Sequence, residues 1–145
     1  MIVDVHTHIP THPDGVPEGQ ERVSTVIRPD KPVMLTVGFD DYVRGMGPVD
    51  KAIVFGIALL PGSGPVEVLD SLAPEQNVND VASQVAARQP EKLIGFMSVH
   101  PDAPDVFDEM ERCVHDLDLK GIKLAANYQV FDPLGQPARR LYAYA

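Results

Sequence analysis

Two histidines near the start of the chain are spaced for metal binding: His6 and His8, in the run Asp4-Val5-His6-Thr7-His8. The β-branched residues around them predict a buried strand over residues 2–8. Because side chains alternate between the two faces of a strand, both imidazoles should point the same way. Two imidazoles on one face can bind a single divalent ion, zinc above all. The alternative is a pair of structural histidines bonded to carbonyl or carboxylate groups.

Other polar residues stand at the ends of predicted strands, where they could lie near these histidines. Asp4 should share their face and either orient a ligand histidine or form buried hydrogen bonds. His100 and Lys123 each end a predicted strand, and we expect both to contact a substrate. The alternatives are a loop-capping role for His100 and an ion pair with a core carboxylate for Lys123. We expect His12 and His115 to be solvated residues without a site role.

The elements that must position these side chains alternate between apolar strand-like runs and helix-like segments. Strands are predicted at residues 2–8, 51–57, 93–99 and 119–124, and helices at residues 39–46, 79–88, 105–117 and from Pro137 to Ala145. The helix at 79–88 should begin at a capping residue, Asn79 or Asp80. Two loops are predicted, a long irregular one within residues 9–33 and a second at Pro61–Pro74.

This order of elements predicts βαβ units and a parallel sheet, which is an α/β fold. A complete (β/α)8 barrel takes roughly 250 residues. Four units in 145 residues therefore predict one partial domain, residues 1–145, that forms the N-terminal half of a TIM barrel. The carboxyl ends of barrel strands form the catalytic face, which is where the histidine pair, His100 and Lys123 fall. No Gly-rich phosphate or dinucleotide fingerprint follows a strand, so a nucleotide-binding fold is disfavoured.

The composition narrows the class of partner to small molecules. A net charge of −9 argues against nucleic acid and anionic membranes. The longest apolar run, residues 52–61, is too short to span a bilayer, and no basic segment followed by an apolar one opens the chain. Cys113 is the single cysteine, which excludes an internal disulfide, fits a reducing cytoplasm and, within an amphipathic helix, predicts a core residue. We therefore expect a cytoplasmic protein.

Several segments together resemble one enzyme family. They are Asp4-Val5-His6-Thr7-His8, Asn79-Asp80 at the start of a helix, Pro90-Glu91-Lys92-Leu93-Ile94-Gly95-Phe96 before a strand, Gly121-Ile122-Lys123-Leu124, and Phe131-Asp132-Pro133. In this order they resemble the amidohydrolase-2 branch of the amidohydrolase superfamily, which includes aminocarboxymuconate-semialdehyde decarboxylase-like enzymes. The resemblance covers nearly the whole chain. It implies that His6 and His8 bind one divalent metal ion, most commonly zinc.

The resemblance also implies a function and a missing half. Family members complete the metal site with histidines on the fifth and sixth strands and an aspartate, the general base, on the eighth. Those strands would lie beyond Ala145, and the final helix ends without a stop signal, so we expect this chain to be the first half of a longer protein. The expected function is a metal-dependent hydrolase or decarboxylase acting on a small organic acid, amide or lactone. As an isolated half it should have little or no activity.

Three alternatives to this function stay open. A non-catalytic half-barrel would expose sheet edges and an apolar face and would fold by self-association, giving a homo-oligomer. A phosphoesterase that opens with a similar His-x-His strand is a second alternative, for which the later segments fit less well. A lactonase relative that works without a metal is the third. Elemental analysis of the intact chain and of the His6→Ala variant would separate the metal-dependent readings from the others.

Overall fold

The computed structural model describes residues 1–25, 30–60 and 77–145. The predicted strands and helices occur in the predicted order, with short additional elements between them. The strands are β1 (Val3–His8), β2 (Val23–Ser24), β3 (Val33–Met34), β4 (Lys51–Phe55), β5 (Leu93–Gly95), β6 (Met97–Ser98) and β7 (Ile122–Lys123). The helices are α1 (Phe39–Gly45), α2 (Val78–Arg88), α3 (Val106–His115), α4 (Ala126–Gln129) and α5 (Gln136–Tyr144).

The parallel strands form two sheets, one with the order β1-β4-β5 and one with the order β6-β7. β1 pairs with β4, β4 pairs with β5, and β6 pairs with β7, all in parallel. The third predicted strand is split at Phe96, whose backbone N–H donates to the carbonyl of Val54 at 2.9 Å. β5 and β6 are thus two parts of one bent stretch, which pairs with β4 on one side and with β7 on the other. The parallel strands β1, β4, β5, β6 and β7 are together called the parallel wall. This order confirms the predicted α/β fold with parallel β/α units.

The apolar core lies between this wall and the helices packed outside it. One cluster includes Ala52 and Val54 of β4, Val81 and Val85 of α2, and Tyr42 of α1, all buried. A second cluster joins β6, α2, α3 and α5 and includes Cys113, which is fully buried as predicted. Each fully buried aliphatic side chain contributes about 1.5–3 kcal/mol relative to an exposed one. This outer layer therefore holds the strands in place.

The inner side of the wall is open, and the prediction that residues 2–8 form a buried strand is wrong. Ile2 is 60% exposed, Val3 38% and Val5 67%. Within the described residues β1 has one hydrogen-bonded neighbour, β4, so its other edge is unpaired. A β-branched strand needs cover on both faces to be buried, and here only the helix side provides it.

Smaller differences concern caps and loops. The cap of α2 is Asn77, whose side-chain oxygen accepts the backbone N–H of Asn79 at 2.8 Å, and not Asn79 or Asp80. The stretch predicted to be irregular contains a short antiparallel hairpin of β2 and β3, and a short helix, α4, follows β7. The loop predicted at Pro61–Pro74 lies outside the described residues. None of the described helices is long and apolar enough to cross a membrane.

Candidate functional site

A β-bulge in β1 decides which of its side chains face inward. Val3 and Asp4 lie opposite Lys51 and Ala52, whereas Thr7 and His8 lie opposite Val54 and Phe55, so two residues of β1 oppose Ile53 alone. Side chains at the same level of a parallel ladder point to the same face. Asp4 and Thr7 therefore share the helix-facing side of Ala52 and Val54, while His8 shares the inner side of Phe55. Bulges are frequent beside functional sites because they redirect side chains.

His6 and His8 lie together on the inner side of the wall. Their ring centroids are 5.3 Å apart, and each ring meets the edge or face of Phe55, at 5.2 Å for His6 and 5.0 Å for His8. Two imidazoles bound to one tetrahedral ion at Zn–N distances of about 2.0–2.1 Å have ring centroids about 5 Å apart. The observed separation thus suits joint binding of one ion. Within residues 1–25, 30–60 and 77–145, no group of three or more His, Cys, Asp or Glu side chains is placed to hold a metal ion.

The surroundings of His8 keep its imidazole in the form that binds metals. Although His8 is an exposed residue, its ring packs on Phe55, and this partial burial lowers its pKa below the usual value. The neighbouring His6 and the ammonium group of Lys123 lower it further. A lowered pKa leaves the ring neutral at pH 7, and only a neutral imidazole nitrogen can coordinate an ion.

Lys123 points inward to the histidine pair, as its position between two outward apolar residues predicts. Its Nζ lies 4.8 Å from the centroid of the Phe55 ring, a cation–π contact. Lys123 lies opposite Ser98 in the β6–β7 ladder, and this register fixes its position along the strand. The carboxylate partner considered as an alternative is absent from the described part of the chain, where Lys123 makes no ion pair. The structure therefore brings His6, His8 and Lys123 together around Phe55.

His100 lies apart from this group and is 4% exposed. Its Nδ1 accepts the backbone N–H of Asp102 at 3.1 Å, so the proton is on Nε2, which donates to the carbonyl of Gln129 at 2.7 Å. Its ring also packs on Phe131, with centroids 5.7 Å apart. Both ring nitrogens are engaged in loop contacts, and a role in substrate binding stays a prediction for this residue.

The remaining sequence candidates occupy the positions of supporting or surface residues. The expectation that Asp4 shares the face of the histidines is wrong because of the bulge; its carboxylate instead accepts the backbone N–H of His6 at 3.0 Å. His115 is exposed and pairs with Glu111 at 2.9 Å, and the Nδ1 of His12 is 2.9 Å from the hydroxyl of Thr11. Asp4 thus supports the site through the backbone.

Two residues central to this region are not identified by any sequence motif. Phe55 is 1% exposed, and its ring contacts the side chains of His6, His8 and Lys123. Gln129, fully buried, joins the loops that follow three strands: its Nε2 donates to the carbonyls of Ala58 and Val99 at 2.8 and 2.9 Å, and its Oε1 accepts the N–H of Ala125 at 2.8 Å. The position of Phe55 near the end of an apolar predicted strand could have identified it from the sequence. No sequence pattern indicates the role of Gln129.

A cavity of about 320 Å³ lies between the segments that follow β4 and β6 and the starts of α2 and α3, and His100 is one of its lining residues. Asn79 and Glu109 in its polar lining are paired with each other. The side-chain amide of Asn79 exchanges hydrogen bonds with the backbone of Ser98 and donates to Glu109 at 2.7 Å. Burial acts to raise the pKa of Glu109, but hydrogen bonds from Arg112, Asn79 and Asn77 outweigh it and hold that pKa at about 2. These groups fasten helices to the sheet.

Comparisons with known proteins agree with the fold. A family model described as amidohydrolase matches residues 3–145. The fold is similar to 4-oxalomesaconate hydratase LigJ from Rhodopseudomonas palustris, with 19% identity and a TM-score of 0.57, over 99% of this chain and 48% of that chain. It is also similar to 5-carboxyvanillate decarboxylase LigW2 from Novosphingobium aromaticivorans with bound manganese, with 21% identity and a TM-score of 0.52, over 71% of this chain and 30% of that chain. No curated protein matches. The chain spans about half the length of the hydratase.

Proposed function

This chain belongs to the amidohydrolase-2 family, and from that premise we propose that it supplies the first half of the active site of a metal-dependent hydrolase or lyase. The observation that carries the proposal is the convergence of His6, His8 and Lys123 around Phe55 on the inner side of the parallel wall. Active sites of such barrels are built at the carboxyl ends of the strands, and His8, Phe55 and Lys123 each end one.

His6 and His8 would hold the ion through their imidazole nitrogens. We propose zinc, because nitrogen ligands bind it more tightly than manganese. The chemistry that a divalent ion supplies when bound is polarisation of a carbonyl group or generation of hydroxide near neutral pH. The described residues provide two ligands, so we expect the chain to bind an ion and to have little or no turnover without further ligands.

Lys123 would contact an acidic group of the substrate. Its ammonium group makes no ion pair within the described residues and lies beside the histidine pair, so an incoming carboxylate would find a cation with no competing partner. The substrates in the names of the two similar structures, 4-oxalomesaconate and 5-carboxyvanillate, are organic acids. We therefore propose a small organic acid, amide or lactone as the substrate class, with His100 as a second contact residue. The single, buried cysteine supports a location in the cytoplasm.

Titration calorimetry with Zn²⁺ and Mn²⁺ tests the metal site. We expect one Zn²⁺ per wild-type chain, with weaker Mn²⁺ binding, and at least a tenfold loss of Zn²⁺ affinity in His6→Ala and in His8→Ala. His115→Ala is the matched control, because it removes an exposed imidazole far along the chain and should leave affinity within twofold. Wild-type-like binding by both His6→Ala and His8→Ala, or no binding by the wild type, would overturn the proposal.

The open inner face favours a second function, a non-catalytic half-barrel that folds by self-association. Ile2, Val3 and Val5 are exposed, and one edge of β1 is unpaired within the described residues. Two copies of the chain could cover these apolar side chains. Sedimentation velocity at micromolar concentration distinguishes this function: a concentration-dependent dimer supports it, and a stable monomer contradicts it.

A further inference from the structure

The residue between the two histidines is anchored on the opposite side of β1. Thr7 is 5% exposed, and its Oγ1 donates to the carbonyl of Ile53 on β4 at 2.7 Å. The hydroxyl has one proton, so it must accept in its other contact, which is with the hydroxyl of Tyr42 at 2.6 Å. Tyr42 of α1 therefore donates to Thr7, and a chain of two hydrogen bonds joins α1, β1 and β4.

The bulge makes this anchor important for the histidines. Regular pairing of β1 with β4 is interrupted between Asp4 and Thr7, and His6 lies in that interval. Beyond the β4 ladder, backbone bonds hold the two ends of this segment: Asp50 N–H donates to the carbonyl of Ile2 and Ile9 N–H to the carbonyl of Phe55, both at 2.9 Å. Neither of these bonds lies at the bulge. The Thr7 hydroxyl ties β1 to β4 immediately after the bulge, and the carboxylate of Asp4 accepts the N–H of His6 within it.

We propose that Tyr42 is a positioning residue for the candidate metal site and acts through Thr7 to hold His6 and His8 at a separation suited to one ion. The inference rests on the proposed function, since it assigns Tyr42 a task in metal binding. Tyr42 is well placed for it, because it is 7% exposed and packed in the cluster that includes Ala52 and Val54. Burial raises the pKa of Tyr42 and outweighs the opposing effect of the hydrogen bond with Thr7, so the phenol keeps the proton that it donates.

Matched variants separate positioning from simple core packing. Tyr42→Phe removes the donor alone, Thr7→Val removes the hydroxyl at nearly constant volume, and Thr7→Ser restores it. Thr36→Val is the control, because Thr36 is also buried and accepts a hydrogen bond, from the backbone of Arg22 at 2.9 Å, but lies on a different segment. Zn²⁺ affinity is measured by calorimetry for these four variants, for the Thr7→Val/Tyr42→Phe double variant and for the wild type.

We expect Thr7→Val and Tyr42→Phe to weaken Zn²⁺ binding by about tenfold, the lower end of the usual effect of residues that orient metal ligands. The double variant should be no weaker than the weaker single variant, because both changes break one chain. Thr7→Ser should recover to within about threefold of the wild type, and Thr36→Val should not change affinity. If Thr7→Val and Tyr42→Phe bind within twofold of the wild type, or if Thr7→Ser is as weak as Thr7→Val, the proposal is wrong.

A measurement without metal keeps this inference distinct from the proposed function. Nuclear Overhauser contacts between the rings of His6 and His8 report their separation in the metal-free chain. We expect them in the wild type and in Thr7→Ser, and expect their loss in Tyr42→Phe. If the wild type binds no Zn²⁺, the proposed function fails, while the ring contacts still decide whether Tyr42 positions the pair. If Thr7→Val does not fold, Tyr42→Phe and Thr7→Ser carry the same test.

Discussion

Replacement of Glu109 by glutamine should reveal how strongly one carboxylate fastens α3 to α2. Its Oε2 accepts Nε of Arg112 at 2.8 Å, and its Oε1 accepts Nη2 of Arg112 at 2.9 Å and Nδ2 of Asn79 at 2.7 Å. Asn79 in turn binds both backbone groups of Ser98 in β6. Glutamine keeps the size of the side chain but removes its charge, so the pair of charge-assisted bonds to Arg112 is weakened.

The size of the effect follows from the pKa of Glu109. Burial opposes ionisation, but the hydrogen bonds from Arg112 and the two asparagines lower the pKa from 4.5 to about 2. At about 1.4 kcal/mol for each unit of pKa, this difference corresponds to about 3 kcal/mol of stability at pH 7. A fifth of the side chain is exposed, so we expect Glu109→Gln to lower the free energy of unfolding by about 2–3 kcal/mol.

The sign of the pH dependence is fixed by the lowered pKa. A carboxyl group whose pKa is lower in the folded state stabilises the fold above its unfolded pKa, here 4.5, and loses that contribution as the pH falls towards 2. Urea unfolding at pH 7 and pH 3 should therefore show the gap between wild type and Glu109→Gln shrinking by roughly half. Asp108→Asn, the same charge change in the same turn of α3, should cost about 0.5 kcal/mol or less at pH 7. A gap that is equal at pH 7 and pH 3 would refute the assignment.

Three other predictions follow from buried side chains. Phe55→Ala should lower the free energy of unfolding by about 3 kcal/mol or more, since the ring is 1% exposed. It should also abolish the ring-current shift of the Lys123 ε-protons in the NMR spectrum. An unchanged shift would contradict the cation–π contact. Gln129→Met keeps the volume but leaves two buried backbone groups and one partly buried carbonyl unpaired, which should cost about 3 kcal/mol in urea unfolding. A loss below 1 kcal/mol would refute the role of its amide. Cys113 should react with a thiol reagent at pH 7.5 about 100-fold more slowly in the native chain than in urea. The reason is that burial, and then the charge of Glu109, raise the pKa of its thiol to about 12. Equal rates would show that the thiol is accessible.

Strand and helix order, the outer core and the direction of Lys123 could be predicted from the sequence because they depend on local patterns. Apolar runs such as residues 51–57 form strands whatever lies beyond them, and amphipathic spacing places Cys113 on the buried face of α3. Alternation along a short regular strand then gives the inward direction of Lys123. These are properties that a few neighbouring residues determine together.

The face of Asp4 and the burial of β1 could not be predicted because they depend on partners far along the chain. Alternation counts residues along one strand, whereas the bulge is a mismatch between two strands, visible in the pairing of Asp4 with Ala52 and Thr7 with Val54. In the same way, β-branched residues indicate a strand but do not indicate whether its second face is covered. Gln129 is a similar case, since its partners lie up to 71 residues away.

The hydrogen bonds of Gln129 have a consequence for how a ligand would enter. Because one amide bonds to the segments after β4, β6 and β7, we expect those segments to open together rather than one at a time. β1 is held by one neighbouring strand in the described part of the chain and is interrupted by a bulge. β7 also has one neighbouring strand there, but Gln129 ties the segment after it to two others, so we expect the histidine side to yield more easily than the Lys123 side. Adjustment to a bound molecule should therefore come mainly from the histidine side.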